Sequence, residues 1–198
     1  MVNLGYLGHM WELYAMWTWI PLYLLEGYRA AGAAAWPGRQ PEAAAAAAAF
    51  GVIASGGLGS LLAGGLSDRF GRTRTTLASL ALSGFCALLI GFTFGRSPLL
   101  LTGVALLWGF AVVADSAQFS TAASELAGSD YMGTALTLQT SLGFLLTLAS
   151  IRLVPALAGR IGWQWAFTLL ALGPLAGGWA MWTLRRSPLA ARRPGGRG

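Results

Sequence analysis

The sequence contains no lysine, one cysteine and one histidine, and only 10% of its 198 residues are charged. Soluble domains carry about 25% charged residues, so this chain cannot cover itself with polar surface. The single cysteine, Cys86, excludes an intramolecular disulfide. One histidine and one cysteine far apart cannot build a zinc site, and we expect neither a metal nor a cofactor. Because residues 1–6 contain no lysine or arginine, we predict no secretory signal peptide.

Apolar residues are abundant instead, at 56% of the chain, and the mean hydropathy is +0.60. They fall in blocks of the length that crosses a ~30 Å hydrocarbon core, about 20 residues at 1.5 Å per residue. We therefore predict an all-α membrane protein in contact with the lipid bilayer. Its six transmembrane helices are expected at residues 4–26, 43–66, 75–95, 98–121, 134–157 and 161–184. They form one domain over residues 1–184, and residues 185–198 are predicted to be a flexible basic tail.

All thirteen basic residues are arginines, and they lie beside the apolar blocks. Membrane topology explains this placement better than nucleic acid, which we do not expect as a partner. With six spans, eight arginines fall on one side of the membrane: Arg69, Arg72, Arg74, Arg185, Arg186, Arg192, Arg193 and Arg197. Four fall on the other side, Arg29, Arg39, Arg96 and Arg160, and Arg152, near the outer end of the fifth span, is left uncounted. The positive-inside rule then predicts a multi-pass protein of the inner (plasma) membrane with both termini in the cytoplasm.

The second span combines a helix start with many small residues. Pro41 and Glu42 are typical of a first helical turn, which predicts that the alanine run of residues 43–49 is helical. Residues 55–64 contain overlapping small-xxx-small pairs, which let helix backbones approach closely in lipid. We expect this helix to pack inside the bundle.

The connection between the second and third spans, residues 64–74, reads GGLSDRFGRTR. Asp68 can cap a helix end or form a charge pair there, and Gly71 permits a tight turn with positive φ. Basic residues hold such a connection on the cytoplasmic side. The ordered set resembles the signature loop of the major facilitator superfamily at Gly64, Asp68, Arg69, Gly71 and Arg72.

This resemblance implies the C-terminal six-helix half of a secondary transporter, with Asp68 and Arg69 in gating. Residues 115–135 resemble the stretch after the tenth helix of bacterial members, with Met132 where an arginine is usual. Residues 8–14 are similar to the seventh helix of nitrate, nitrite or cyanate transporter-like members. The implied function is transport of a small anion or organic solute by alternating access, with a proton as the candidate coupling ion. The implied partner is an N-terminal six-helix half or a second copy of the chain.

Three ionisable residues, His9, Glu12 and Asp115, lie inside predicted spans, where charge usually faces a cavity, a partner or a proton path. His9 and Glu12 are three residues apart and share a helix face. At 1.5 Å per residue, Glu12 lies roughly 12 Å and Asp115 roughly 9 Å from the inner ends of their spans. Together with Gln118 they are predicted to form one polar cluster that binds a proton or the solute. In the alternative, His9 and Glu12 pair with each other or lie near headgroups, and Asp115 helps to close an inner gate.

Other functions and residues stay open at this point. An intramembrane enzyme is not expected, because His9 lies in the first span and Ser55 lacks the sequence context of a serine nucleophile. A non-transporting membrane scaffold or assembly subunit would use the glycine-rich helix faces. Gln139 faces either a cavity or a neighbouring helix. Several rings can line a solute path, although packing is their commoner role: Trp11, Tyr14, Trp17 and Trp108.

Overall fold

The computed structural model describes residues 1–32, 40–127 and 130–186. This described part of the chain is helical and contains no β-strand, which confirms the all-α class. Its elements are α1 (Val2–Ala30), α2 (Pro41–Phe70), α3 (Arg72–Thr93), α4 (Pro98–Ala114), α5 (Ser116–Ala127), α6 (Met132–Ile161), α7 (Trp163–Ala166), a 3₁₀ segment (Phe167–Ala171) and α8 (Leu172–Arg185). Residues 187–198 of the predicted tail and residues 33–39 of the first connection lie outside the described residues.

Five helical segments are long and apolar enough to cross a membrane: Pro41–Phe70, Arg72–Thr93, Pro98–Ser124, Met132–Ile161 and Trp163–Leu184. α1 has the length, with 29 residues, but its tryptophans and tyrosines, together with His9 and Glu12, lower its mean hydropathy. Those side chains are accommodated because α1 is surrounded by other helices and about half of its residues are buried. It contacts α2, α4, α5, α6 and α8. The observed helices begin and end within a few residues of the six predicted blocks.

α2 starts as its sequence predicts, with Pro41 in the first turn and Glu42 beside it, and the alanine run is helical. It crosses α4 closely, because a Cβ on Gly59 would overlap the carbonyl oxygen of Phe110. Ser55 also donates a hydrogen bond to the Leu106 carbonyl of α4 over 3.0 Å. α2 also contacts α1 and α3, yet only 28% of its most apolar stretch is buried. The prediction that α2 packs inside the bundle was therefore wrong, since α2 lies at its edge.

Aromatic residues of α1 satisfy backbone groups of other helices. Pro155 lies inside α6 and has no N–H, so the carbonyl of Ile151, four residues earlier, loses its helical donor. Trp19 Nε1 donates to that carbonyl over 2.8 Å. Since lipid offers no hydrogen bonds, a carbonyl freed by a proline needs such a donor from the protein.

Backbone carbonyls that lack a regular helical donor also lie where α7 ends and the 3₁₀ segment begins. The hydroxyl of Tyr23 donates to the Gln164 carbonyl over 3.1 Å, and Trp11 Nε1 donates to the Leu169 carbonyl over 3.2 Å. The polar atom of Trp11 is therefore engaged in helix packing.

Candidate functional site

The four polar residues predicted to cluster are all buried. His9, Glu12 and Asp115 expose at most 2% of their surfaces, and Gln118 exposes 7%. They lie where α1 meets α3 and the junction of α4 with α5. Buried ionisable groups in an apolar bundle are costly unless they are paired, so their partners decide what the cluster can do.

His9 and Asp115 form a close pair. Nδ1 of His9 lies 2.8 Å from Oδ1 of Asp115, and the Phe119 ring centroid lies 5.7 Å from the imidazole centroid. Although the distance is short, Oδ1 has no well-aligned hydrogen-bond donor among the described residues. The contact is therefore an ion pair when His9 is protonated, and Oδ1 still has capacity to accept a proton or another donor.

Asp115 sits at a break in the fourth span. α4 ends at Ala114 and α5 begins at Ser116, with Asp115 at φ −92° and ψ −9°. The next backbone bond runs from the Gln118 N–H to the Asp115 carbonyl over 3.0 Å, a tightened three-residue turn. The predicted span at residues 98–121 is present as the segment Pro98–Ser124, and the break at Asp115 inside it is a feature that the sequence did not predict. Irregular backbone inside a membrane protein is tolerated where protein or a cavity surrounds it, and such breaks often accompany binding sites.

Glu12 has partners of its own. Its carboxylate accepts a hydrogen bond from Trp108 Nε1 over 2.7 Å and another from the Ser83 hydroxyl over 3.0 Å. These bonds tie α1 to α4 and α3 respectively. The alternative in which His9 and Glu12 pair with each other was therefore wrong. Ser83 was not identified from the sequence as part of the cluster. The available signal was a serine next to Gly84 inside an apolar span.

The sequence left the role of Gln139 undecided and predicted that Gln118 belongs to the polar cluster. Gln139 Nε2 donates to Asn3 Oδ1 over 3.1 Å, so Gln139 satisfies a neighbouring helix. Gln118 is buried next to the pair, and within the described residues its side chain makes no hydrogen bond to His9, Glu12 or Asp115. Its role in the cluster stays a prediction.

The connection predicted as a gating loop is mostly helix. α2 continues through Phe70 and α3 begins at Arg72, so Gly71 alone joins them. Gly71 has φ 91° and ψ 144°, which confirms the predicted positive φ. Its N–H closes the last turn of α2 on the Ser67 carbonyl over 3.0 Å. A single glycine can reverse the chain because it has no Cβ to clash in this conformation.

The charged residues of this connection face outward. Asp68 and Arg69 are exposed, and the Arg69 guanidinium lies 5.2 Å from the Phe70 ring centroid. Asp68 makes no ion pair with any described residue, and it lies at the C-terminal end of α2, where the helix dipole disfavours a negative charge. Open space surrounds Gly64, where a Cβ would meet no atom within 4 Å. A charge partner for Asp68 would therefore have to come from outside the described chain.

Within residues 1–32, 40–127 and 130–186, no three histidine, cysteine, aspartate or glutamate side chains come together as metal ligands. A comparison with curated proteins gave no match. A family model described as Major Facilitator Superfamily matches residues 2–198, nearly the full length. With its membrane-spanning helices and the set of residues around Gly71, the chain belongs to the Major Facilitator Superfamily of membrane transporters.

Proposed function

We propose that the chain moves a solute across the membrane by alternating access, as the C-terminal six-helix half of a secondary transporter. The observation that carries the proposal is the buried pair of His9 and Asp115, 2.8 Å apart at the break between α4 and α5. Intramembrane charge of this kind commonly marks a proton or substrate path. Membership of a transporter family also supports the expectation that the chain is not an enzyme.

The pair is suited to coupling by a proton. With His9 protonated and Asp115 ionised, opposite charges hold α1 against the junction of α4 and α5. Protonation of Asp115 removes the negative charge and weakens that attraction, so α1 is freer to move against the junction. Proton loading and helix movement are then linked through one carboxylate. Glu12 stays in place, since two donors hold it.

A small anion is the solute class that the surroundings favour. Trp17 Nε1 is buried and has no acceptor among the described residues, so a bound solute with acceptor oxygens can take its hydrogen bond. When Asp115 is protonated, protonated His9 supplies an unneutralised positive charge about two turns away on the same helix. The likeness of residues 8–14 to nitrate, nitrite or cyanate transporter-like members supports the same class.

The partner is an N-terminal six-helix half or a second copy. α2 and α6 each contact α1, and they are the least buried spans, with 28% and 22% of their most apolar stretches covered. α3 and the segment Trp163–Leu184 reach 50%. The side formed by α2, α1 and α6 therefore offers the surface against which a second half would rock.

The test is uptake of nitrate, nitrite and cyanate into proteoliposomes under an imposed pH gradient. Purified chain is reconstituted alone and with its encoded N-terminal half, if the gene supplies one. The Asp115→Asn variant is expected to lose the drive from the pH gradient, whereas Glu26→Gln is expected to keep it because Glu26 is a partly exposed acid at the other end of α1. Coupled uptake by Asp115→Asn equal to wild type would contradict the role of the pair.

A non-transporting scaffold or assembly subunit is the second candidate. It is favoured by the uncovered small residues of α2, since a Cβ added at Gly57, Gly64 or Gly65 would meet no atom within 4 Å. The same proteoliposomes separate the two functions. Stable assembly with a partner and no flux of any tested solute would support the scaffold.

A further inference from the structure

Two clefts of about 440 Å³ each open on the outside of the bundle, and they differ in charge. The first lies between α2, α3 and α4, and its lining includes Ala63, Leu66, Arg74, Ala78 and Phe110. The second lies between α3 and α8, and its lining contains no charged residue. The second cleft is therefore an internal control for the first, because it has the same volume and an apolar lining without an arginine.

The first cleft is open to the exterior of the helix bundle. Leu66 and Phe70 on its α2 wall expose 47% and 49% of their surfaces. The buried hydroxyl of Thr75 already donates to the Gly71 carbonyl over 3.1 Å, so it is not free for a ligand. An occupant therefore meets an apolar trough with a guanidinium at one end. The trough runs along α3 from Arg74 to Leu82, about 12 Å at 1.5 Å per residue.

The charge around Arg74 is strongly positive. Residues 68–74 hold three arginines and one aspartate, a net charge of +2 from three positive charges and one negative charge. Arg74 itself is exposed in the first turn of α3. Basic residues next to a membrane span attract anionic headgroups, whereas apolar walls alone do not distinguish one lipid tail from another.

We propose that this cleft binds an anionic phospholipid, with an acyl chain between α2 and α3 and the phosphate at Arg74. The proposal is independent of transport and of the membrane orientation, since it concerns whichever leaflet faces residues 68–74. Its occupant contacts both helices joined by Gly71. The lipid thus connects the charge of that leaflet to the angle between α2 and α3.

The experiment measures lipid retention by the full 198-residue chain, released from nanodiscs and analysed by native mass spectrometry. Phosphatidylglycerol and phosphatidylcholine with identical acyl chains are offered in equal amounts. The wild-type chain is expected to retain roughly fivefold more phosphatidylglycerol than phosphatidylcholine. This is the effect expected of one arginine near an anionic headgroup. Arg74→Gln is expected to lose this preference, while Arg96→Gln, which removes an exposed arginine from the opposite membrane side, keeps it.

A second pair of variants fills the clefts. Ala78→Trp fills the charged cleft and is expected to abolish retention of phosphatidylglycerol, whereas Ala81→Trp fills the uncharged cleft and is expected to leave it unchanged. Circular dichroism checks that each variant folds, and the arginine variants decide the question if Ala78→Trp does not. Equal retention of both lipids, equal effects of the two arginine variants, or equal effects of the two tryptophan variants would overturn the proposal. Preferential retention of oleate over phosphatidylglycerol would also overturn it.

Discussion

The buried polar cluster divides into two sets of contacts, the pair of His9 with Asp115 and the hydrogen bonds of Glu12. Substitution of Glu12 gives the clearer test. Glu12→Ala removes the acceptor of Trp108 Nε1 and leaves that buried donor unpaired, whereas the Ser83 hydroxyl can still donate to the Leu80 carbonyl, 3.2 Å away. Each unpaired group costs about 1–3 kcal/mol. We expect a loss of roughly 1–3 kcal/mol in the free energy of unfolding, measured by thermal or SDS denaturation in detergent.

Glu12→Gln is the matched control for this prediction. It keeps an oxygen for Trp108 and has nearly the same shape, so a loss below about 1 kcal/mol is expected. If Glu12→Ala is as stable as Glu12→Gln, the two hydrogen bonds do not support the junction of α1 with α3 and α4.

At the scale of single residues, the sequence identified the members of the polar cluster but not the residues that each of them contacts. His9, Glu12 and Asp115 stand out because charge is rare in apolar blocks. Their partners depend on how each helix is rotated and on the break at Asp115, which brings that carboxyl beside His9. A spacing of three residues shows that His9 and Glu12 share a face, but not that they bind different helices.

Among the helices, the crossing of α2 with α4 depends on glycine. A Cβ on Gly109 would overlap the backbone carbonyl of Val52, whereas a Cβ on Gly103 of the same helix meets nothing within 4 Å. Gly109→Ala should force α2 and α4 apart and cost about 1–3 kcal/mol of unfolding free energy. Gly103→Ala should be neutral or slightly stabilising, because alanine favours the helix. Equal denaturation profiles for the two variants would show that the crossing is looser than described.

The contact of α1 with α6 predicts an interaction between a proline and a tryptophan. Trp19→Phe leaves the Ile151 carbonyl without its donor and should cost about 1 kcal/mol. In a Pro155→Ala background the new N–H of residue 155 can reach that carbonyl, so the same Trp19→Phe change should cost less. A double-mutant cycle of denaturation free energies measures this coupling. Strictly additive effects would mean that Pro155 does not create the need for Trp19.

Helix boundaries were predictable where local chemistry determines them and not elsewhere. Pro41 starts α2, and Gly71 reverses the chain with the predicted positive φ. The sequence of residues 98–121 gives no such signal at Asp115, because neither proline nor glycine interrupts it there. The break coincides with the buried contact of Asp115 with His9, a tertiary contact that apolar periodicity does not report.

For the whole molecule, composition predicted the helical membrane bundle, but the packing arrangement came only from the structure. The apolar character of α2 and α3 is almost equal, with mean hydropathies of 1.7 and 1.8 in their most apolar stretches. Their burial nevertheless differs, at 28% and 50%. In lipid, buried and exposed faces are both apolar, so the contrast that reveals the core of a soluble protein is weak.

Topology is the remaining prediction at this scale, and it rests on the arginines. With both termini in the cytoplasm, positions 68 and 131 face the cytoplasm, while positions 40 and 97 face the other side. Cys86 is fully buried, so the native chain gives a low background for thiol labelling. Single substitutions Asp68→Cys, Tyr131→Cys, Gln40→Cys and Ser97→Cys would be labelled in intact spheroplasts with a membrane-impermeant maleimide.

Only Gln40→Cys and Ser97→Cys should react while the membrane is intact. Asp68→Cys and Tyr131→Cys should react only after the membrane is permeabilised. The reverse pattern would invert the orientation while keeping the spans, because the two positions of each pair would still share a side. Reaction of Asp68→Cys and Tyr131→Cys from different sides would instead contradict the membrane crossing of α3 or of the segment Pro98–Ser124, since an even number of crossings must separate those two positions.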